Sequence, residues 1–202
     1  YLLQRVEQLE TSLDNLEKKF DESASPVSDE VEKKLEALNR EAKEARLAAN
    51  DAEQYGRRQN LRIRGLSVGV NDDCRLVAAD FCRNSLQLPD FNASKIDVAH
   101  IIPIRAEHVT QARKSIKSEV IVKFHNREDR DSVIRNRRNL RGTAITVVED
   151  LTSLNVQTLN RIRQDDRVAT CWTWNGRIFA LLKSGQKLLI RPFQALQDCQ
   201  VL

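Results

Sequence analysis

The stretch Asn60-Leu61-Arg62-Ile63-Arg64-Gly65-Leu66 sets Leu61, Ile63 and Leu66 against Arg62 and Arg64. Alternation with a period of two predicts a half-buried β-strand whose other face is basic. Downstream, residues 72–88 suit a helix with Leu76, Ala79, Phe81, Cys82 and Leu86 apolar, closed by Pro89. Ile96-Asp97-Val98-Ala99-His100-Ile101-Ile102-Pro103 reads as a second strand and Ser118-Glu119-Val120-Ile121-Val122-Lys123-Phe124 as a third. A short basic helix over 127–138 and a fourth strand, Ala144-Ile145-Thr146-Val147-Val148, complete the series. The order β-α-β-β-α-β over residues 56–148 is the ferredoxin-like arrangement.

That order is also the layout of RNA-recognition motifs, which offer an open sheet face to single-stranded nucleic acid. Such motifs carry stacking aromatics on the third strand in a [KR]-G-[FY]-[GA]-[FY]-V-x-[FY] pattern. Here the matching stretch, Lys117 to Phe124, keeps only the final aromatic. Base stacking contributes about 1–3 kcal/mol per base, so affinity would have to come from arginine and from another aromatic. Two arginine clusters supply the first: Arg57, Arg58, Arg62 and Arg64 at the first strand, and Arg135, Arg137, Arg138 and Arg141 after the second helix. All eight are Arg rather than Lys, which favours forked contacts to phosphate and stacking on bases. A salt-sensitive binder of low sequence selectivity is expected. A solvated basic surface is the plain alternative.

Upstream the texture changes. Leu2, Val6, Leu9, Leu13, Leu16 and Phe20 step by four and three, the a/d seam of a coiled coil. The pattern breaks at Ser23-Ala24-Ser25-Pro26 and resumes at Val31, Leu35 and Leu38 in a shifted phase, so residues 1–55 are expected to be a coiled coil irregular near 23–28. One long rod is favoured over a folded-back hairpin. Arg5-Val6-Glu7-Gln8-Leu9-Glu10 resembles a short motif of parallel three-stranded coils, in which Arg5 packs over the seam and pairs with a neighbour's Glu10. Trimer is favoured over dimer.

The C-terminal segment, residues 149–202, reads as a helix over 153–168 followed by a three-stranded meander. Cys171-Trp172-Thr173-Trp174 and Arg177-Ile178-Phe179-Ala180-Leu181-Leu182 flank Asn175-Gly176, a strong hairpin signal, and Lys187 to Arg191 follow Ser184-Gly185. The module is expected to dock on the middle domain. Trp172 and Trp174 share a strand face; burial is the usual fate of Trp, and an exposed stacking surface is the alternative. The fold class is therefore α+β in three parts.

Charge supports the division. Residues 1–55 carry 8 Lys/Arg against 14 Asp/Glu, and residues 56–202 carry 25 against 15. An acidic assembly element joined to a basic module that meets a polyanion fits this asymmetry. With 31% charged residues and no long apolar run, no membrane span is expected. The chain opens at Tyr1 and contains no Met, which reads as a piece of a longer protein. Cys74, Cys82, Cys171 and Cys199 form no C-x-x-C pair and the histidines are scattered, so no metal site is expected and free thiols are. No nucleotide-loop, nucleophile-elbow or zinc-protease motif occurs, so no enzyme, cofactor or small-molecule substrate is expected.

Tyr55-Gly56-Arg57-Arg58-Gln59-Asn60-Leu61-Arg62-Ile63-Arg64-Gly65-Leu66 resembles the R-R-x-N-L-R-I-x-G-[IVL] signature of the nucleic-acid-binding protein from the first open reading frame of LINE-type retrotransposons. Glu149-Asp150-Leu151-Thr152 and Trp174-Asn175-Gly176-Arg177-Ile178-Phe179 are similar to the start and the hairpin of that family's C-terminal domain. The resemblance implies a homotrimer that coats and chaperones single-stranded RNA in a cytoplasmic ribonucleoprotein particle, with a nuclear pool as a further option. Single-stranded DNA binding and a host-derived adaptor that binds proteins are its alternatives. RNA contacts would fall on Arg58, Arg62, and Arg137 or Arg138, with Trp174 and Arg177 in the hairpin. Where relatives pair two arginines early in the C-terminal helix, this chain has Leu159-Asn160 and then Arg161, to which that contact is assigned.

Overall fold

The computed structural model describes residues 2–69, 71–102 and 119–202, with the side chains of 2–10, 16, 17 and 20–28 outside the description. Pro103, Lys117 and Ser118 of the expected strands lie outside it, as do the side chains of Leu2, Arg5, Val6, Leu9, Glu10, Leu16 and Phe20. Residues 1–48 form one unit and residues 49–202 another. A single helix α1 spans Leu2–Gly56, so the backbone is that of the rod and not of the hairpin. Its last two turns belong to the second unit. No described helix is long and apolar enough to cross a membrane.

The architecture is α+β. Strands β1 (Asn60–Arg64), β2 (Ile96–Ile102), β3 (Glu119–Phe124) and β4 (Thr146–Glu149) form an antiparallel sheet in the order β2-β3-β1-β4. Helices α2 (Cys74–Asn84) and α3 (Arg127–Asn136) bury Ala78, Ala79, Phe81, Cys82, Val133 and Ile134 in one core with Leu61, Ile63, Val120, Val122, Phe124 and Val147. The inward positions of each strand are thus the apolar ones, as period-two patterning requires. Burial pushes the Cys82 thiol up to about 12, leaving it unreactive at neutral pH. All four cysteines are free.

Several boundaries are corrected, each for a local reason. β1 stops at Arg64 because Gly65 takes φ +84, and a Cβ there would lie 2.6 Å from the carbonyl oxygen of Ala144. Helix α2 starts after Asp73, whose carboxylate accepts from the Arg75 N–H, and it stops before Gln87 at φ +58. Leu76, expected on its apolar side, is exposed. Arg137–Leu140 tightens into a 3-10 turn after α3.

The C-terminal helix α4 (Ser153–Arg163) is one turn shorter than expected. Asp165 accepts from both the backbone and the guanidinium of Arg167, which turns the chain into β5 (Val168–Trp174). Those bonds hold the Asp165 carboxyl down to about 2. β5, β6 (Arg177–Leu182), β7 (Lys187–Ile190) and β8 (Gln200–Val201) pair antiparallel in that order, so the meander has four strands, not three. Asn175 at φ +54 and Gly176 at φ +73 make the β5–β6 turn, which demands left-handed residues at both positions. Leu151, Leu159, Ile162, Ile178, Ala180, Leu188 and Ile190 form a second core under this sheet.

A polar knot joins the end of α1 to both modules. Buried Gln54 accepts from the Thr152 N–H (3.0 Å) and from Asn155 Nδ2 (2.9 Å), and donates to the Asp150 carbonyl (3.0 Å). Thr152 caps α4 and donates its hydroxyl to Asn50 Oδ1 at 2.6 Å. Asn155 also donates to the Gly176 carbonyl. Each buried group therefore keeps a partner, and the helix end, the β4–α4 linker and the hairpin turn hold one geometry.

Candidate nucleic-acid interface

The outward residues of the first sheet run in rows across β2, β3, β1 and β4. One row sets His100, Ile121, Arg62 and Val148 side by side; the next sets Ile102, Glu119, Arg64 and Thr146. Beside these rows lies a groove of about 510 Å³ between the sheet face and α4. Arg57, Arg62, Arg64 and Val148 line one wall, and Ser153, Val156, Gln157, Asn160 and Arg163 the other. The α4 residues recur every three or four positions, so one helix stripe faces the groove while Thr158 and Ile162 are buried.

Carboxylates match most of the cations in this groove. Asp150, with its side chain 1% exposed, accepts Arg62 Nε at 2.6 Å, Arg57 Nη1 at 3.0 Å and Asn60 Nδ2 at 3.1 Å. Glu119 accepts from Arg62 (3.4 Å) and Arg64 (3.1 Å), and Glu53 pairs with Arg57 (2.6 Å). Burial works against the charge on Arg62, but its bonds to Asp150 and Glu119 outweigh that and raise its pKa above the ordinary value. Arg57, Arg62 and Arg64 are thus groove-lining but anchored. Arg58 has no carboxylate partner among the described residues; its guanidinium stands 4.8 Å from the ring centre of exposed Tyr55. Arg163, which sequence reasoning left out of the site, lines the groove with no carboxylate partner among the described residues. The helical stripe of Ser153, Val156, Gln157 and Asn160 is the signal that would have found it.

The second cluster meets the hairpin. Trp174 is half-buried against the first core, with the guanidinium carbons of Arg130 and Arg135 each 5.8 Å from its ring centre. Arg177 sits opposite Trp174 in the β5–β6 register, and Arg127 donates to Asn175 at 3.0 Å. Arg138 donates to the Arg135 carbonyl, while Arg137 and Arg141 are exposed on and after the 3-10 turn. Arg135, Arg137, Arg138, Arg141 and Arg177 have no ion pair among the described residues. Arg161 lies apart from these, donating to the Gln194 carbonyl at 3.0 Å. Trp174 therefore acts as a packed joint between modules, and the more exposed Trp is Trp172.

Sequence reasoning also missed Arg130. It falls within the short basic helix expected over 127–138, yet its side chain is 1% exposed and pairs with Glu149, equally buried. Glu149 accepts the Gly176 N–H as well, at 3.2 Å. The positions 130, 133 and 134 make the buried stripe of α3. Together these groups can bind and orient a polyanion. A scan against protein-family models matches none to this chain, and a search of curated proteins finds no match either.

Proposed function

We propose that the chain binds single-stranded RNA, through a ferredoxin-like RNA-recognition fold and the C-terminal module beside it, and that it does so without catalysis. The supporting observation is the groove between the open sheet face and α4, whose arginine-lined wall includes Arg62 and Arg64 of two neighbouring rows of the sheet. Guanidiniums with no carboxylate among the described residues, at Arg58, Arg163, Arg135, Arg138 and Arg177, supply the phosphate contacts; anchored Arg57, Arg62 and Arg64 shape the wall. Self-association along α1 multiplies them. Exposed Val31, Leu35 and Leu38 share one helix face, as Leu13 does farther along, and such a stripe is buried by neighbouring helices. A homotrimer, RNA packaging and chaperoning as in LINE-type retrotransposons, and a cytoplasmic ribonucleoprotein particle extend the same reading.

The test uses fluorescence anisotropy of labelled RNA with the full chain. Arg58→Ala/Arg163→Ala and Arg135→Ala/Arg138→Ala/Arg177→Ala remove cations that no carboxylate holds among the described residues, and urea unfolding checks that each variant is folded. Each combination is expected to weaken binding about tenfold or more near 0.1 M salt. Wild-type affinity in both would reject the assignment. A second reading, a protein-binding adaptor, draws on the carboxylates Asp150 and Glu119 that neutralise the groove. It expects negligible RNA affinity and partner capture that salt leaves unchanged.

A further inference from the structure

The second sheet has a face of its own that the proposed groove does not use. Ile178, Ala180, Leu188 and Ile190 point into the second core, so the alternate residues take the opposite face, whose end at Trp174 is half-buried against the first core. Across β5, β6 and β7 the register places Trp172, Phe179 and Leu189 in one row. Trp172 is 36% exposed and its ring stacks on Phe179, with centroids 5.7 Å apart and planes 16° from parallel. Two neighbours on the same face, Arg177 and Lys187, are exposed and have no carboxylate partner among the described residues. No outward position of these three strands carries Asp or Glu.

We propose that this outer face of the β5–β8 sheet is a stacking platform for the bases of a single nucleic-acid strand, centred on Trp172. The inference rests on the single-strand reading above and adds to it the aromatic surface that the first sheet lacks. Its chemistry is that of a nucleotide: an exposed indole, extended by Phe179, offers a π-face of base size, and Arg177 and Lys187 meet the phosphates on either side. Charge selects this occupant, because a face whose charged neighbours of the indole are Arg177 and Lys187 complements a strand with bases and phosphates. Sequence selectivity is low, since every base has a π-face.

The full chain is titrated with oligo(U), oligo(dU) and an abasic strand of the same length. Oligo(U) is expected to quench the emission of the wild type, and the quench disappears in Trp172→Phe while its affinity stays within about threefold. Trp172→Ala weakens oligo(U) binding about tenfold and leaves the abasic strand unaffected. An effect of Trp172→Ala that is equal on oligo(U) and oligo(dU) assigns the platform to bases of either backbone; an effect on oligo(U) alone assigns it to RNA. Wild-type oligo(U) affinity in Trp172→Ala, with Arg58→Ala/Arg163→Ala still impaired, overturns the platform and leaves the groove standing. Absence of any strand binding overturns both. A blue shift of Trp172 that grows with protein concentration alone gives the face to a second copy and overturns the platform too.

Discussion

Replacing Glu149 by alanine is expected to lower the unfolding free energy by about 3–5 kcal/mol, the cost of stranding a buried partner charge. Arg130 and Glu149 are both almost fully enclosed, and Glu149 also accepts the Gly176 N–H of the hairpin turn. Without the carboxylate, Arg130 keeps only Asp131 (2.7 Å), and the Gly176 N–H loses its acceptor. The pair is not itself a large source of stability: Arg130 Nε and Glu149 Oε2 have no hydrogen-bond partner among the described residues. The double replacement Arg130→Met/Glu149→Leu is therefore expected to recover most of the loss, since well-packed apolar groups often match a buried pair. Urea unfolding followed by tryptophan emission reads both, because Trp174 lies against Arg130. A single-variant loss below about 1 kcal/mol would contradict this view of the joint.

Asp150→Ala is expected to separate stability from binding. The carboxylate holds Arg57, Arg62 and Asn60 at once. Hydrogen bonds to charged groups contribute about 1.5–3 kcal/mol each, but the two arginines keep a quarter to a third of their surface and rehydrate. A net loss of about 2–3 kcal/mol follows. Binding to RNA moves the other way. Removing one negative charge beside the groove frees a guanidinium for phosphate and steepens the logarithmic salt dependence by about 0.7. Weaker binding by a folded Asp150→Ala would show that Asp150 orients Arg57 and Arg62 for the strand instead of competing with it. Folding is checked by the same urea titration.

The alternating strands were the legible part of the fold. Leu61 and Ile63, Val120 and Val122, and Ile178 and Ala180 all point to the cores that period-two patterning assigns them. The ends of elements were less legible because they turn on backbone geometry: nothing local in Gln87 announces φ +58, and Gly65 is required by a carbonyl far along the chain at Ala144. Site arginines were legible as clusters and not as roles. Arg57, Arg62 and Arg64 read as free cations until Asp150 and Glu119, distant in sequence, are brought beside them. Arg130 hides in a run of charges for the same reason. Asn50 and Gln54 look like ordinary positions of an acidic helix, yet they hold the modules together, since only tertiary structure brings Thr152 and Asn155 within reach.

The central claim is that unpaired guanidiniums of the folded unit grip a phosphate backbone. Affinity of the full chain for a single-stranded RNA, measured from low to moderate salt, tests it most directly. Five free arginines acting together give a slope of about −3 to −4 in log affinity against log salt. A flat line, or affinity too weak to measure at low salt, would contradict the claim.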